Sequence, residues 1–148
     1  MKGNPKKHPE YLILSLNRTK ISLFKVVDSH ATEIVDETFP MIYREEYEYS
    51  KSARGTSYGF SLKGFEKDKS VLTEIRFITF LRSADERLKL YLKNGIPLIL
   101  AGVKKELADF ETITHHKDHL AGEVAGSYSN YNRNDLIRKS MEIMQAIF

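Results

Sequence analysis

Two apolar segments far apart in the chain limit the folds open to it. The first is Tyr11-Leu-Ile-Leu-Ser-Leu-Asn-Arg-Thr-Lys-Ile-Ser-Leu-Phe24, and the second is Ile96-Pro-Leu-Ile-Leu-Ala-Gly-Val103. Tyr11 to Leu16 reads as an apolar strand, Asn17 to Lys20 as a polar turn, and Lys20 to Val27 as a second strand with two partly buried faces. Pro97 to Ala101 is apolar at every position, as in a strand covered on both faces of a sheet. It runs directly into a predicted helix over Val103 to Phe110. A chain that contains both a hairpin and such a strand–helix step is a mixed α/β protein.

The remaining elements fit that frame. Asp28-Ser29 is a turn signal and His30 to Val35 a third strand, which closes an antiparallel meander. Phe39-Pro40 ends it, because proline restrains the residue before it. Met41 to Tyr49 fits either a short helix or an irregular edge. From Ser50 to Asp68 the periodicity is lost, and Gly55, Gly59 and Gly64 interleave with Tyr58, Phe60 and Phe65. A loop that long inside a compact fold is usually functional or disordered. Asp68 or Ser70 then caps a long helix, with Phe77, Phe80, Leu81, Ala84, Leu88, Tyr91 and Leu92 at three- and four-residue spacing. Asn94-Gly95 supplies a left-handed stop. Asn132 or Asn134 caps a last helix, striped by Leu136, Ile137, Met141, Ile143, Met144, Ile147 and Phe148.

Bulk properties exclude several classes. At 148 residues the size prior is one domain over 1–148, with 1–9 a flexible tail and 50–68 a long loop. No run reaches the roughly 18 apolar residues of a membrane helix, and the N-terminus lacks a signal-peptide core, so the expected location is cytoplasmic. Cysteine is absent, which rules out disulfides, thiolate metal sites and a thiol nucleophile. The sequon Asn17-Arg-Thr19 is then idle. Net charge is +3, but Lys51, Arg54, Lys63, Lys67 and Lys69 crowd the central loop against Glu66 and Asp68. Such a patch suits a polyphosphate partner, and equally a solvated loop.

The hairpin Leu14-Ser-Leu-Asn-Arg18 with Ile21-Ser-Leu-Phe24, the Phe39-Pro40 end, the block Pro97-Leu-Ile-Leu-Ala-Gly-Val103 and the turn Gly122-Glu-Val-Ala-Gly126 before the last helix carry a resemblance. Together they are similar to the bacterial and archaeal relatives of class 1 peptide-chain release factors, over about residues 9 to 147. The likeness is to the middle domain of such proteins. It implies a mixed five-stranded sheet, an antiparallel meander plus a parallel central strand, flanked by helices as in ribonuclease H. In release factors the loop after the meander carries Gly-Gly-Gln, whose glutamine positions water against the peptidyl-tRNA ester. Here that loop would be 50–68, and it contains no glutamine; Gln145, in the last helix, is the single one in the sequence. Fold therefore carries over further than chemistry.

Other chemistries find little footing. His115 and His119 stand four apart, with Glu123 nearby, and are weak metal candidates; polar surface histidines are the plainer account, and no metal or other cofactor is expected. The first strand has no carboxylate for a ribonuclease H-type magnesium site. Neither a Gly-X-Ser-X-Gly elbow nor a phosphate loop is present. No enzyme class is supported, and a weak hydrolase built without a recognisable motif is the one enzymatic reading left open.

Two functions stay open. One is a translation-associated module docking on ribosomal or transfer RNA through Arg18, Lys51, Arg54, Tyr58, Phe60 and Lys63, with the aromatic rings stacking on bases. Arg18 reads alternatively as a turn residue pinning its neighbours. The other is a homodimer, joined through the last helix at Ile147 and Phe148, with no nucleic-acid role.

Overall fold

The computed structural model describes residues 10–43, 62–93, 95–128 and 132–147, with backbone alone at 62–68 and 70. The strands are β1 (Tyr11–Ser15), β2 (Lys20–Val27), β3 (His30–Glu33), β4 (Met41–Ile42), β5 (Leu98–Gly102) and β6 (Leu120–Ala125). The helices are α1 (Leu62–Leu88), α2 (Lys104–Ile113) and α3 (Arg133–Ile147), and a short 3₁₀ turn covers Lys117–His119.

The sheet runs β3-β2-β1-β5-β6, with β4 attached to β2. β1 lies between an antiparallel partner, β2, and a parallel one, β5. That position explains its composition: Leu12 and Leu14 face one side, Tyr11 and Ile13 the other, and all four are buried. On the first face Leu12, Leu14, Leu23, Leu98 and Leu100 pack against Phe77, Leu81, Ala84 and Leu88 of α1 and Leu107 and Phe110 of α2. On the second, Ile13, Phe24, Val26, Ile99 and Val124 pack against Leu136 and Met144 of α3. The result is a mixed sheet between helical layers.

Two turns hold the meander. Asn17 Oδ1 accepts from Thr19 N at 3.0 Å and from Thr19 Oγ1 at 2.9 Å, a side-chain mimic of a backbone turn. Asp28 and Ser29 both take positive φ, 51° and 69°, as a two-residue hairpin of this hand requires.

The structure departs from the sequence reading in three places and decides between two alternatives in a fourth. β6 was expected as a glycine turn; instead it is an edge strand parallel to β5 and the fifth strand of the path β3-β2-β1-β5-β6, with β4 a sixth attached to β2. Of the two readings left open for Met41 to Tyr49, the described part fits the edge, since Met41–Ile42 pairs with Lys20 and Ile21. β3 ends at Glu33 instead of Val35. α1 begins at Leu62, before the expected caps at Asp68 and Ser70, and ends at Leu88, before Tyr91. Gly95 does take a positive φ of 68°, but only after a series of turns past that end.

Candidate functional site

The turn that joins β1 to β2 contributes side chains to two separate groups of residues. On the α1–α2 side stands Arg18. Its Nη2 donates to Glu74 Oε2 at 2.9 Å, its Nη1 lies 3.9 Å from Glu106 Oε2, and its Cζ lies 4.2 Å from the centroid of the Phe77 ring. Lys105 extends the network, reaching Glu74 Oε1 at 3.3 Å and Asp109 Oδ2 at 3.0 Å. Hydrogen bonding by Lys105, helped by the Arg18 charge, holds the Glu74 carboxyl below its usual range. Glu106 is different. Burial pushes its carboxyl up, and the charges of Arg18 and Lys105 only partly oppose this. Two cations meet three carboxylates here, so the surface is locally acidic, and Arg18 is engaged with side chains of α1 and α2.

On the α3 side a cavity of about 210 Å³ opens beside the same turn. Ser15 and Ser22, direct cross-strand partners, supply part of its wall together with Asn17, Thr19, Lys20, Phe24, Tyr128, Arg133 and Leu136. Arg133, the first residue of α3, donates to Glu33 Oε1 at 3.0 Å and lies over the Phe24 ring at 4.9 Å. Lys139 Nζ is 3.4 Å from Tyr128 Oη, and that bond together with the Asp135 charge raises the lysine pKa.

The histidines serve the connection between α2 and β6. Asp85, buried on α1, accepts from Thr114 Oγ1 at 2.5 Å and from the His115 backbone N–H at 2.9 Å. The His115 side chain is 84% exposed, with Nδ1 3.4 Å from Asp85 Oδ2, whereas His119 Nδ1 meets the Ile96 carbonyl at 2.8 Å. The intervening 3₁₀ turn breaks the helical register that would have put His115 and His119 on one face. Among the described residues, no group of three His, Asp or Glu is arranged to hold a metal ion.

Of the proposed RNA-contacting residues, Lys51, Arg54, Tyr58 and Phe60 lie outside the described residues, as does the Lys63 side chain, although residue 63 falls within α1. Phe148 also lies outside them. Arg18 is thus brought together with Glu74, Glu106 and Phe77. The cavity residues Ser15, Lys20, Ser22, Tyr128 and Arg133 were not anticipated. Their signal in the sequence is faint: two serines interrupting otherwise apolar strands on the same face.

A mixed sheet with helices on both faces and a polar turn at the end of its central strand defines an α/β protein of the kind expected from the sequence. The model of one family, described as bacterial archaeo-eukaryotic release factor family 3, matches residues 10–148, and the chain belongs to that family. No curated protein matches the chain. Membership makes it release-factor-like and associates it with translation. Among the described residues no helix is long and apolar enough to cross a membrane.

Proposed function

We infer that the chain is a release-factor middle-domain-like binding module that docks on ribosomal or transfer RNA and hydrolyses nothing. The observation that carries this reading is the family match over residues 10–148 in a chain whose single glutamine, Gln145, falls within α3. A release-factor-like protein without a loop glutamine keeps a reason to meet the translation machinery but loses the group that would direct water at an ester. Lys51, Arg54 and Lys63 supply the cations and Tyr58 and Phe60 the stacking surfaces. Arg18 has a supporting part, holding the end of the sheet to α1 and α2 through Glu74 and Phe77.

The test is co-sedimentation of the protein with ribosomes at low and high salt. Phosphate contacts release counterions, so co-migration at low salt should be lost steeply as salt rises. Changing Lys51, Arg54 and Lys63 together to Glu should abolish it at low salt as well. Absence of co-migration, or co-migration indifferent to salt and to these charges, overturns the reading. In the first case, a self-associated protein near the top of the gradient would favour assembly through α3, whose Ile147 is 49% exposed.

A further inference from the structure

We propose that the cavity between the β1–β2 turn and α3 is a binding site for a phosphate monoester group. Its hydrogen-bonding capacity is uneven. Ser22 is nine-tenths buried, lines the cavity, and has no side-chain hydrogen-bond partner among the described residues. The same holds for the hydroxyl of Ser15, its direct partner across β1 and β2. Two adjacent hydroxyls, one buried and one half-buried, face a half-open cavity without a protein partner among the described residues, and a bound acceptor would satisfy both.

The neighbouring groups select what that acceptor is. The Asn17 carbonyl oxygen is already engaged by Thr19, which leaves the amide N–H₂ of Asn17 as its remaining polar group. Lys20, exposed at the rim, donates only, and so does Arg133. Glu33 sits on Arg133 and tempers its charge without supplying an acceptor-rich wall. A cavity lined by hydroxyls, an amide and the exposed Lys20, with Arg133 already paired to Glu33 beside it, is complementary to a compact anion with several acceptor oxygens, which a phosphate monoester provides. At about 210 Å³ the cavity is smaller than a typical site for a drug-sized molecule, and Phe24 and Tyr128 give the substituent carried by the phosphate an aromatic wall. The site rests on the β1–β2 turn and α3, and does not depend on RNA docking by residues 50–68.

The experiment is an NMR titration of the ¹⁵N-labelled full chain with sodium phosphate at constant ionic strength. Saturable shifts are expected at the amides of Ser15, Asn17, Ser22 and Tyr128. Lys20→Glu should weaken binding about tenfold or more, because it replaces a charge-assisted donor with a repelling carboxylate. Ser22→Val removes a hydroxyl and fills the wall while suiting a strand, so it should abolish the shifts and leave the rest of the spectrum folded. Two further ligands identify the source of the phosphate, adenosine monophosphate and a 5′-phosphorylated RNA dinucleotide. Tighter binding of the first marks a free nucleotide, tighter binding of the second an RNA end, and either supports the site. Shifts that never saturate, or affinity equal in wild type, Lys20→Glu and Ser22→Val, overturn it. A positive titration with no ribosome co-migration would leave the site standing and the RNA-docking reading refuted.

Discussion

The Tyr11 hydroxyl meets Ser140 Oγ at 2.8 Å, joining the first strand to the last helix across 129 residues. Ser140 is fully buried and donates its own proton to the Ile137 carbonyl at 2.7 Å, so the tyrosine is the donor of the pair. The two partners should not be equivalent under mutation. Tyr11→Phe removes a donor and leaves Ser140 still bonded to Ile137, at a cost of about 1 kcal/mol. Ser140→Ala strands the tyrosine hydroxyl in the core, and should cost about 1–3 kcal/mol. Urea unfolding of both variants checks the order; an equal or smaller loss in Ser140→Ala would contradict the assignment of donor.

Gly122 is needed for a close approach. A Cβ built there would lie 2.7 Å from Ile143 Cγ2, inside the contact between β6 and α3. Gly122→Ala should therefore destabilise by about 1–3 kcal/mol, the usual range for overpacking. Ile143→Ala removes the obstructing branch, so in that background the glycine substitution should cost markedly less. A double-mutant cycle by thermal unfolding measures the coupling, and simple additivity would count against the contact.

The same glycine shows why β6 escaped detection in the sequence. β1 and β5 were legible because both faces are covered and runs of apolar residues, Tyr11 to Leu14 and Leu98 to Ala101, fill most of them. β6 is an edge strand in which Val124 alone is fully buried, and it is offset by a register shift near Leu98. Glycine at such a position reads as a turn, although its role is to admit a helix. The apolar stripes of α1 and α3 were equally legible, since periodicity alone reports a buried face. The cavity was not, because Ser15 and Ser22 come from the hairpin and Arg133 from a helix more than a hundred residues later. Nothing in local pattern relates them. Arg18 could be singled out as a cation in a turn, but its engagement with Glu74 and Phe77 depends on where α1 crosses the sheet.

Arg18 Nη1 lies 3.9 Å from the buried carboxylate of Glu106. Because burial raises the Glu106 pKa, the native state binds its proton more tightly than the unfolded chain does. Its protonated form favours folding, and stability from this group is lost as pH rises through the native pKa. Arg18→Met removes a counter-charge and the contact with the Phe77 face, and should cost about 1 kcal/mol near neutral pH. The cost should shrink at about pH 4, where the carboxyl is largely protonated. Adding Glu106→Gln should recover part of the loss at neutral pH. Denaturation of the three variants at both pH values decides it; a penalty independent of pH would place the contribution of Arg18 elsewhere.

Asp85 ties α1 to the segment that leads into β6. It is 3% exposed and accepts from the Thr114 hydroxyl and the His115 N–H. Asp85→Ala leaves both donors without that acceptor and should cost about 3 kcal/mol, whereas Asp85→Asn retains one acceptor oxygen and should cost less. Amide hydrogen exchange at His115 and His116 should accelerate in the alanine variant before exchange in β1 does. Unchanged protection there would mean that the connection is held by other contacts.

Asp36 is the group whose titration should mark the acid limit of the loop after β3. The Tyr91 hydroxyl donates to its Oδ2 at 2.6 Å, and the backbone N–H groups of Phe39 and Thr38 donate to Oδ1 at 2.9 and 2.8 Å. These bonds, that of Tyr91 foremost, hold its pKa below the ordinary value. A depressed native pKa means that the unfolded chain binds the proton more readily, so the stabilisation is present above the unfolded pKa of about 4 and is lost as pH falls below it. Tyr91→Phe removes the first cause while keeping the ring against Phe39, which it meets edge-on at 5.6 Å. An NMR titration of the Asp36 carboxyl should then move upward toward the ordinary range, and the acid arm of the stability profile should flatten. If the carboxyl titrates at the same pH in both proteins, the hydroxyl is not what holds it down, and the two backbone donors must carry the shift.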